Sequence, residues 1–282
     1  MAHRINSTSV ITGAGGGLGR ALAIQLAMSG VRRLHLCDID GSALAETANA
    51  VRHAGALAET SVIDVANSGQ VEGFAAGVVA KSGVPYLVVN NAGVSLTGTF
   101  DRISMDDLEW IMGINFFGVV NGCRAFIPAM VAAGRGHLVN VSSIYGVIGV
   151  PGCSAYSAAK FAVRGFSEAI GFELDAKGVK VSVAIPGGIR TGIVRNGRFL
   201  GLDHYPDATR ESIAQHFEKI AGLSPEDAAR KLLAGILLGK KRILIGKDAR
   251  FIDFVQRTMP NQWSKLILPL LTLPKPRTQQ HG

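Results

Sequence analysis

Ser143, Tyr156 and Lys160 are the side chains whose types and spacing could move a proton. Tyr156 and Lys160 stand four residues apart in a stretch of helical pattern reaching Asp175, so they share one helix face. A free phenol titrates near about 10 and is a poor base at neutral pH. A neighbouring ammonium favours the phenolate and lowers that value. The pair is therefore expected to let Tyr156 accept a proton from an alcohol, or return one to a carbonyl. Ser143, at the end of an apolar strand, would hold the reacting oxygen. A Tyr–Lys pair at this spacing is also common on ordinary helix surfaces, so it carries weight only with other signals.

One such signal is the run Thr12-Gly13-Ala14-Gly15-Gly16-Gly17-Leu18-Gly19. It follows a short apolar strand and opens a helix. Glycines allow a tight turn and a close backbone approach to a pyrophosphate, whose charge meets the helix N-terminus. The run lacks the Lys-Ser/Thr of an NTP-binding loop. Asp38 ends the second apolar run about 20 residues past the glycines. A carboxylate there can accept hydrogen bonds from ribose hydroxyls and repels a 2′-phosphate. Asp40 stands close by, and a solvated turn acid is the plainer alternative.

These residues need a scaffold. Apolar β-rich runs alternate with helical patterns throughout the chain. Strands are expected at residues 10–12, 34–37, 60–63, 86–89, 138–141, 179–185 and 243–245. Helices are expected at 17–29, 42–53, 71–81 and 156–175, with a long stretch from Met105 to Val131 broken near Pro128. A further helix should be capped by Ser224 with Pro225 in its first turn. Strict alternation predicts an α/β fold, a doubly wound, parallel, seven-stranded Rossmann-type sheet with helices on both faces. Ligands of such sheets bind outside the carboxyl ends of the strands, where each candidate residue falls.

Taken together, the sequence closely resembles the single-domain short-chain dehydrogenases/reductases. The resemblance rests on the glycine run, Asn90-Asn91-Ala92-Gly93, Asn115, Ser143, Tyr156 with Lys160, and Pro186-Gly187, in the family's order across residues 8 to 192. It implies an NAD or NADP cofactor and the interconversion of alcohols and carbonyls, with the nicotinamide charge adding to that of Lys160. It implies catalytic roles for Asn115, Ser143, Tyr156 and Lys160, with Ser143 rather than Ser142 because it stands thirteen before Tyr156. Asn115 would support a water relay to Lys160, which would also hold the nicotinamide ribose. Gly13, Gly16, Gly17, Leu18 and Gly19 would cradle the cofactor. Asp38, Asp64, Val65, Asn91, Ala92 and Gly93 would line its adenosine and central part, and Pro186, Ile189 and Thr191 its carboxamide end. No basic residue follows Asp38, and Arg32 and Arg33 precede the second strand, so NAD is expected over NADP. An NADP-dependent carbonyl reductase and a non-catalytic nucleotide-binding scaffold are the alternatives.

Residues 1–260 are expected to form one dehydrogenase domain, with 192–222 inserted as a substrate lid and 261–282 as an apolar, then basic, tail. The lid mixes Arg195, Arg198, Asp203, Asp207, Arg210 and Glu211 with Phe199, Leu200, Leu202, Tyr205 and Phe217. Its His204 and His216 could touch substrate, with a surface position the plainer reading. Ile144, Val147, Ile148, Val150 and Pro151 carry no charge and favour a lipophilic alcohol or ketone. The tail, Trp263 to Pro274 and then Lys275 and Arg277, could pack on the body, meet a subunit or touch a membrane surface. Apolar residues on two sides of the 156–175 helix predict a homo-oligomer, a dimer or tetramer.

The composition is 48% hydrophobic and 18% charged, which excludes disorder. The net charge of +8 is scattered, with no aromatic-basic stripe, so no nucleic-acid partner is expected. The three cysteines have no paired or metal-ligand spacing, so reduced thiols and no metal are expected. The N-terminus has no secretory h-region, and no uninterrupted apolar run nears the roughly 20 residues of a spanning helix. A cytoplasmic protein, with membrane association through the tail as an option, is the expectation.

Overall fold

The computed structural model describes residues 8–203 and 205–272. The readings of His204, Pro274, Lys275 and Arg277 fall outside them. Among the described residues there are nine strands: β1 (Thr8–Thr12), β2 (Arg33–Asp38), β3 (Leu57–Val62), β4 (Leu87–Asn90), β5 (Leu96–Gly98), β6 (Gly136–Val141), β7 (Val179–Pro186), β8 (Arg198–Gly201) and β9 (Arg242–Ile245). Seven form one sheet in the order β3-β2-β1-β4-β6-β7-β9. Every pairing in it is parallel. The order turns back on itself between β1 and β4, and that switch point opens the crevice that such sheets use for ligands.

Alternate residues explain the continuous apolar runs. Val10, Val88 and Leu138 point into one core, and their neighbours Ile11, Val89 and Val139 into the other. Helices α1 (Gly17–Met28), α2 (Gly41–His53) and α8 (Pro225–Leu237) cover one face, and α3 (Ser68–Ser82), α5 (Gly118–Ala132) and α6 (Ser154–Asp175) the other. A strand buried on both sides has no polar face to show. β3 differs because it is the sheet edge, leaving Leu57 and Val62 exposed. The cap on α8 is as expected: Ser224 Oγ accepts from the Asp227 amide at 3.1 Å, with Pro225 in the first turn.

The helix expected to break near Pro128 does not. Pro128 lies inside α5, four residues before its end at Ala132, and Phe126 and Met130 pack the same turns into the core. The irregularity comes earlier. α4 (Met105–Met112) runs into a π-helical segment, Gly113–Phe117, before α5 begins. Together they make 28 helical residues, with an 18-residue stretch of mean hydropathy 1.3, long and apolar enough to cross a membrane. Asn115, Asn121 and Arg124 interrupt the apolar run, which hid that length in the sequence. In the fold this helix lies along the sheet, burying Val119, Cys123, Phe126 and Met130.

Three further pieces were not expected. β5 and β8 form a separate parallel pair, tying residues 198–201 to the loop after β4. Helix α7 (Arg210–Ile220) follows, and α9 (Lys247–Thr258) and α10 (Trp263–Leu271) close the end of the molecule. The described part of the tail packs on the body, with Ile267 buried beside Ile144, Val147, Ile148 and Ile252.

Candidate active site

A cavity of about 800 Å³ runs along the carboxyl ends of β1, β2, β4, β6 and β7. Gly13, Gly16, Gly17, Leu18, Asp38, Asp64, Val65, Asn91, Ala92, Gly93, Ser143, Tyr156, Lys160, Pro186, Ile189 and Thr191 all line it. Gly19 and Asn115 do not. They stand behind the lining and shape it.

The glycine loop is built for an anion. Gly16 caps α1 without a side-chain bond, and no acidic residue occupies the first turn, so the helix amides stay free to meet negative charge. Gly17 has φ +50°, which an L side chain rarely adopts. A Cβ on Gly19 would stand 2.1 Å from the Gly13 carbonyl oxygen, so helix and turn could not close. The Gly15 amide donates to Asp38 Oδ2 at 2.7 Å. Asn91 Nδ2 donates to the Thr12 and Gly13 carbonyls, both at 3.0 Å. Arg20 donates to the Gly15 carbonyl at 2.7 Å and pairs with Glu46. Arg33 sits at the opposite end of β2, bonded to Ser82 and near Glu59. Asp64 turns its Oδ1 onto the Ala66 amide at 2.9 Å. After β7, Asp248 accepts from the Gly188 amide at 2.7 Å, and Thr191 lies against Gly17. Free amides, an open glycine surface at Gly16 and a carboxylate at the β2 end fit a dinucleotide.

The candidate proton-transfer residues meet at the end of β6. Ser142 and Ser143 are neighbours with different tasks. Ser142 Oγ donates to the Lys160 carbonyl at 2.7 Å and is buried, whereas Ser143 Oγ accepts from the Tyr145 amide at 3.1 Å. Lys160 Nζ donates to the Val141 carbonyl at 3.1 Å and lies 5.8 Å from the Tyr156 ring centroid. Tyr145 packs edge-on against Tyr156, ring centroids 5.9 Å apart, and fixes its plane. The Asn115 amide is held at both ends, Oδ1 accepting from the Val94 amide at 2.8 Å and Nδ2 donating to its carbonyl at 2.9 Å.

The expected fall in the Tyr156 pKa is not what the protein alone produces. Burial pushes the phenol up to about 12, while a hydrogen bond with Ser143 pulls the other way. Burial also pushes Lys160 down to about 8. By surface exposure Tyr156 is only half-buried, since its ring opens on the cleft. Two groups in one dry pocket both resist charge, and the ammonium alone does not offset desolvation.

The other half of the cleft is apolar. Val94, Val150, Leu202, Ile213, Phe217 and Ile267 line it. Its charged lining residues, Asp38, Asp40, Asp64, Lys160 and Asp248, belong to the dinucleotide half and the proton-transfer centre. Val147 and Ile148, expected in the pocket, are instead buried core beneath it. The charges of residues 192–222 face outward: Arg198 pairs with Asp107 at 2.7 Å and covers Trp110, and Asp203 pairs with Arg102 at 2.8 Å.

The model of the short chain dehydrogenases matches residues 7–198. The chain belongs to the short chain dehydrogenase family. It is 40% identical over 270 residues, covering 95% of this chain and 96% of the other, to the putative oxidoreductase SadH of Mycobacterium tuberculosis. It is 32% identical to human estradiol 17-beta-dehydrogenase 11, covering 90% of this chain and 79% of that one. A solved short chain dehydrogenase/reductase from Burkholderia phymatum, in complex with NAD, superimposes with a TM-score of 0.81 at 30% identity, covering 98% of this chain and all of that one.

As a short chain dehydrogenase the protein is an NAD(P)-dependent oxidoreductase. The part of this dehydrogenase's site that sequence reasoning missed lies outside the family's motifs. Tyr145 escaped because an aromatic next to a serine loop carries no periodic signal. Asp248 belongs to an unanticipated helix. His216, for which a surface position is the plainer reading, lines the cleft, and its place among Ile213, Phe217 and Ile220 at helical spacing was the available clue.

Proposed function

We propose that this protein is an NAD-dependent dehydrogenase that interconverts a lipophilic alcohol, secondary or primary, and its carbonyl. The observation that carries the reading is one continuous cleft in which Tyr156, Lys160 and Ser143 stand between a glycine-loop end and an uncharged, apolar end. When bound, the nicotinamide supplies the hydride acceptor or donor. The chain does the rest. Ser143 holds the substrate oxygen, Tyr156 exchanges its hydroxyl proton with that oxygen, and Lys160 stabilises the phenolate that results. Asn115 positions Val94, in the loop between β4 and β5, and with it Gly93, beneath Lys160. The glycine loop and Asp38 hold the adenosine half, and Pro186, Ile189 and Thr191 hold the other end.

Residues 192–222 are read as a lid on the 1–260 dehydrogenase domain, and Leu202, Tyr205 and Phe217 as its substrate-facing side chains, while Phe199 and Leu200 fasten it to the body. A cytoplasmic homo-oligomer with reduced Cys37, Cys123 and Cys153 completes the proposal. The test is a panel of medium- and long-chain alcohols, retinoids and steroids, each offered with NAD and with NADP and followed by nicotinamide absorbance. Reduction of NAD by apolar members of the panel is the expected result. Turnover confined to sugars or hydroxy acids would contradict the reading of the cleft.

A further inference from the structure

Among the described residues, the buried side-chain polar atoms that lack a hydrogen-bond partner include Thr99 Oγ1 and His216 Nε2, whose residues line the cleft. Such an orphan costs about 1–3 kcal/mol and calls for a structural reason. His216 shares one face of α7 with Ile213, Phe217 and Ile220, at offsets of three and four residues. All four line the cleft. The histidine is thus the polar member of an otherwise apolar stripe on the wall opposite the sheet. Asp248, another polar residue of the cleft lining, already holds the Gly188 amide.

We propose that His216 is a recognition point for a second polar group of the substrate. That group is a hydroxyl or carbonyl carried on the apolar body, away from the carbon that reacts. The inference rests on reading the cleft as an alcohol–carbonyl site. An apolar wall grips a hydrocarbon without fixing its register, since burial of apolar surface is non-directional. A hydrogen bond in a dry wall fixes it. A neutral imidazole donates or accepts according to its tautomer, so either a hydroxyl or a carbonyl suits it. Because Nε2 is closed off from solvent in the ligand-free arrangement, its partner arrives with the substrate as the neighbouring side chains part. Its position on α7 makes that bond a clasp between substrate and lid.

The test uses two probes, a long-chain methyl ketone and the same ketone carrying a terminal hydroxyl, at several chain lengths. Two readouts are taken for the wild type, His216→Phe and His216→Gln: kcat/KM with NADH, and calorimetric affinity for the NAD-loaded enzyme. Each readout is expressed as the ratio of hydroxylated to plain probe within one variant, so a general loss of activity cancels. At the best-matched chain length the ratio is expected to fall roughly 2–12-fold in His216→Phe, the worth of one hydrogen bond, and to recover in part in His216→Gln. A ratio indifferent to residue 216 at every length, with both probes turned over, overturns the recognition point and leaves the alcohol–carbonyl reading standing. Binding with the His216-dependent ratio but no turnover does the reverse. Neither binding nor turnover of any probe overturns both.

Discussion

The Gly15 amide donates to the Asp38 carboxylate at 2.7 Å, so the turn before α1 and the end of β2 form one rigid corner. A 2′-phosphate placed at that corner would meet the carboxylate at a few Å. The repulsion is on the order of 1–4 kcal/mol, a preference for NAD of roughly tenfold to several hundredfold. Asp38→Ala should narrow the preference from both sides, relieving the penalty on NADP and loosening the loop that holds NAD. Calorimetric titration of both dinucleotides checks this. Equal affinities in the wild type would show that Arg20, bonded to the neighbouring Gly15 carbonyl, offsets the carboxylate.

Ser143 is the group that favours the Tyr156 phenolate against burial. Ser143→Ala should therefore lower alcohol oxidation and move the rising limb of its pH profile to higher pH, because the phenol loses the bond that pulled its pKa down. Removing an acid–base partner of this kind costs about 10²–10⁴ in rate. A profile that falls in height without moving would place Ser143 on the substrate alone.

Lys160 is 3% exposed and pushed down to about 8 by burial. A lysine whose folded pKa lies below its unfolded value of 10.5 opposes folding where it is charged. Its cost is full below about pH 8 and fades as pH rises towards 10.5. Lys160→Met should stabilise the cofactor-free protein at pH 7 by up to about 3 kcal/mol, less what Val141 loses when its donor goes. The gain should shrink between pH 8 and 10.5. Denaturant unfolding of both proteins across that range checks the sign. A loss of stability at pH 7 would show that the Val141 bond outweighs desolvation.

The architecture was legible because burial on both sheet faces forces continuous apolar runs, as at Val10-Ile11 and Leu138-Val139. Ser143, Tyr156 and Lys160, singled out by type and spacing, do line one cleft, the first after β6 and the other two on α6. What stayed hidden depends on long-range contact. Nothing local marks the π segment around Asn115, which exists because the amide must reach Val94. β5 and β8 pair residues about a hundred apart in sequence, with no period of their own. The Tyr156 pKa went wrong because charge proximity can be read from spacing, whereas desolvation cannot.

Phe161 and Phe172 stand 42% and 77% exposed on α6, while Val163 on the same helix is fully buried. An apolar second face of this kind predicts a subunit contact. Light scattering should give a dimer or tetramer at micromolar concentration, and Phe172→Glu with Phe161→Glu should shift it towards monomer. A wild-type monomer would contradict the assignment of that face.

The central claim is that Tyr156 transfers the proton in a dinucleotide-dependent alcohol oxidation. The most direct measurement is single-turnover nicotinamide reduction with an active lipophilic alcohol, wild type against Tyr156→Phe, alongside calorimetric NAD affinity for each. The account predicts a rate lower by about 10²–10⁴ with NAD affinity nearly unchanged, because the lost hydroxyl touches substrate and not the dinucleotide. Wild-type turnover in Tyr156→Phe would contradict it.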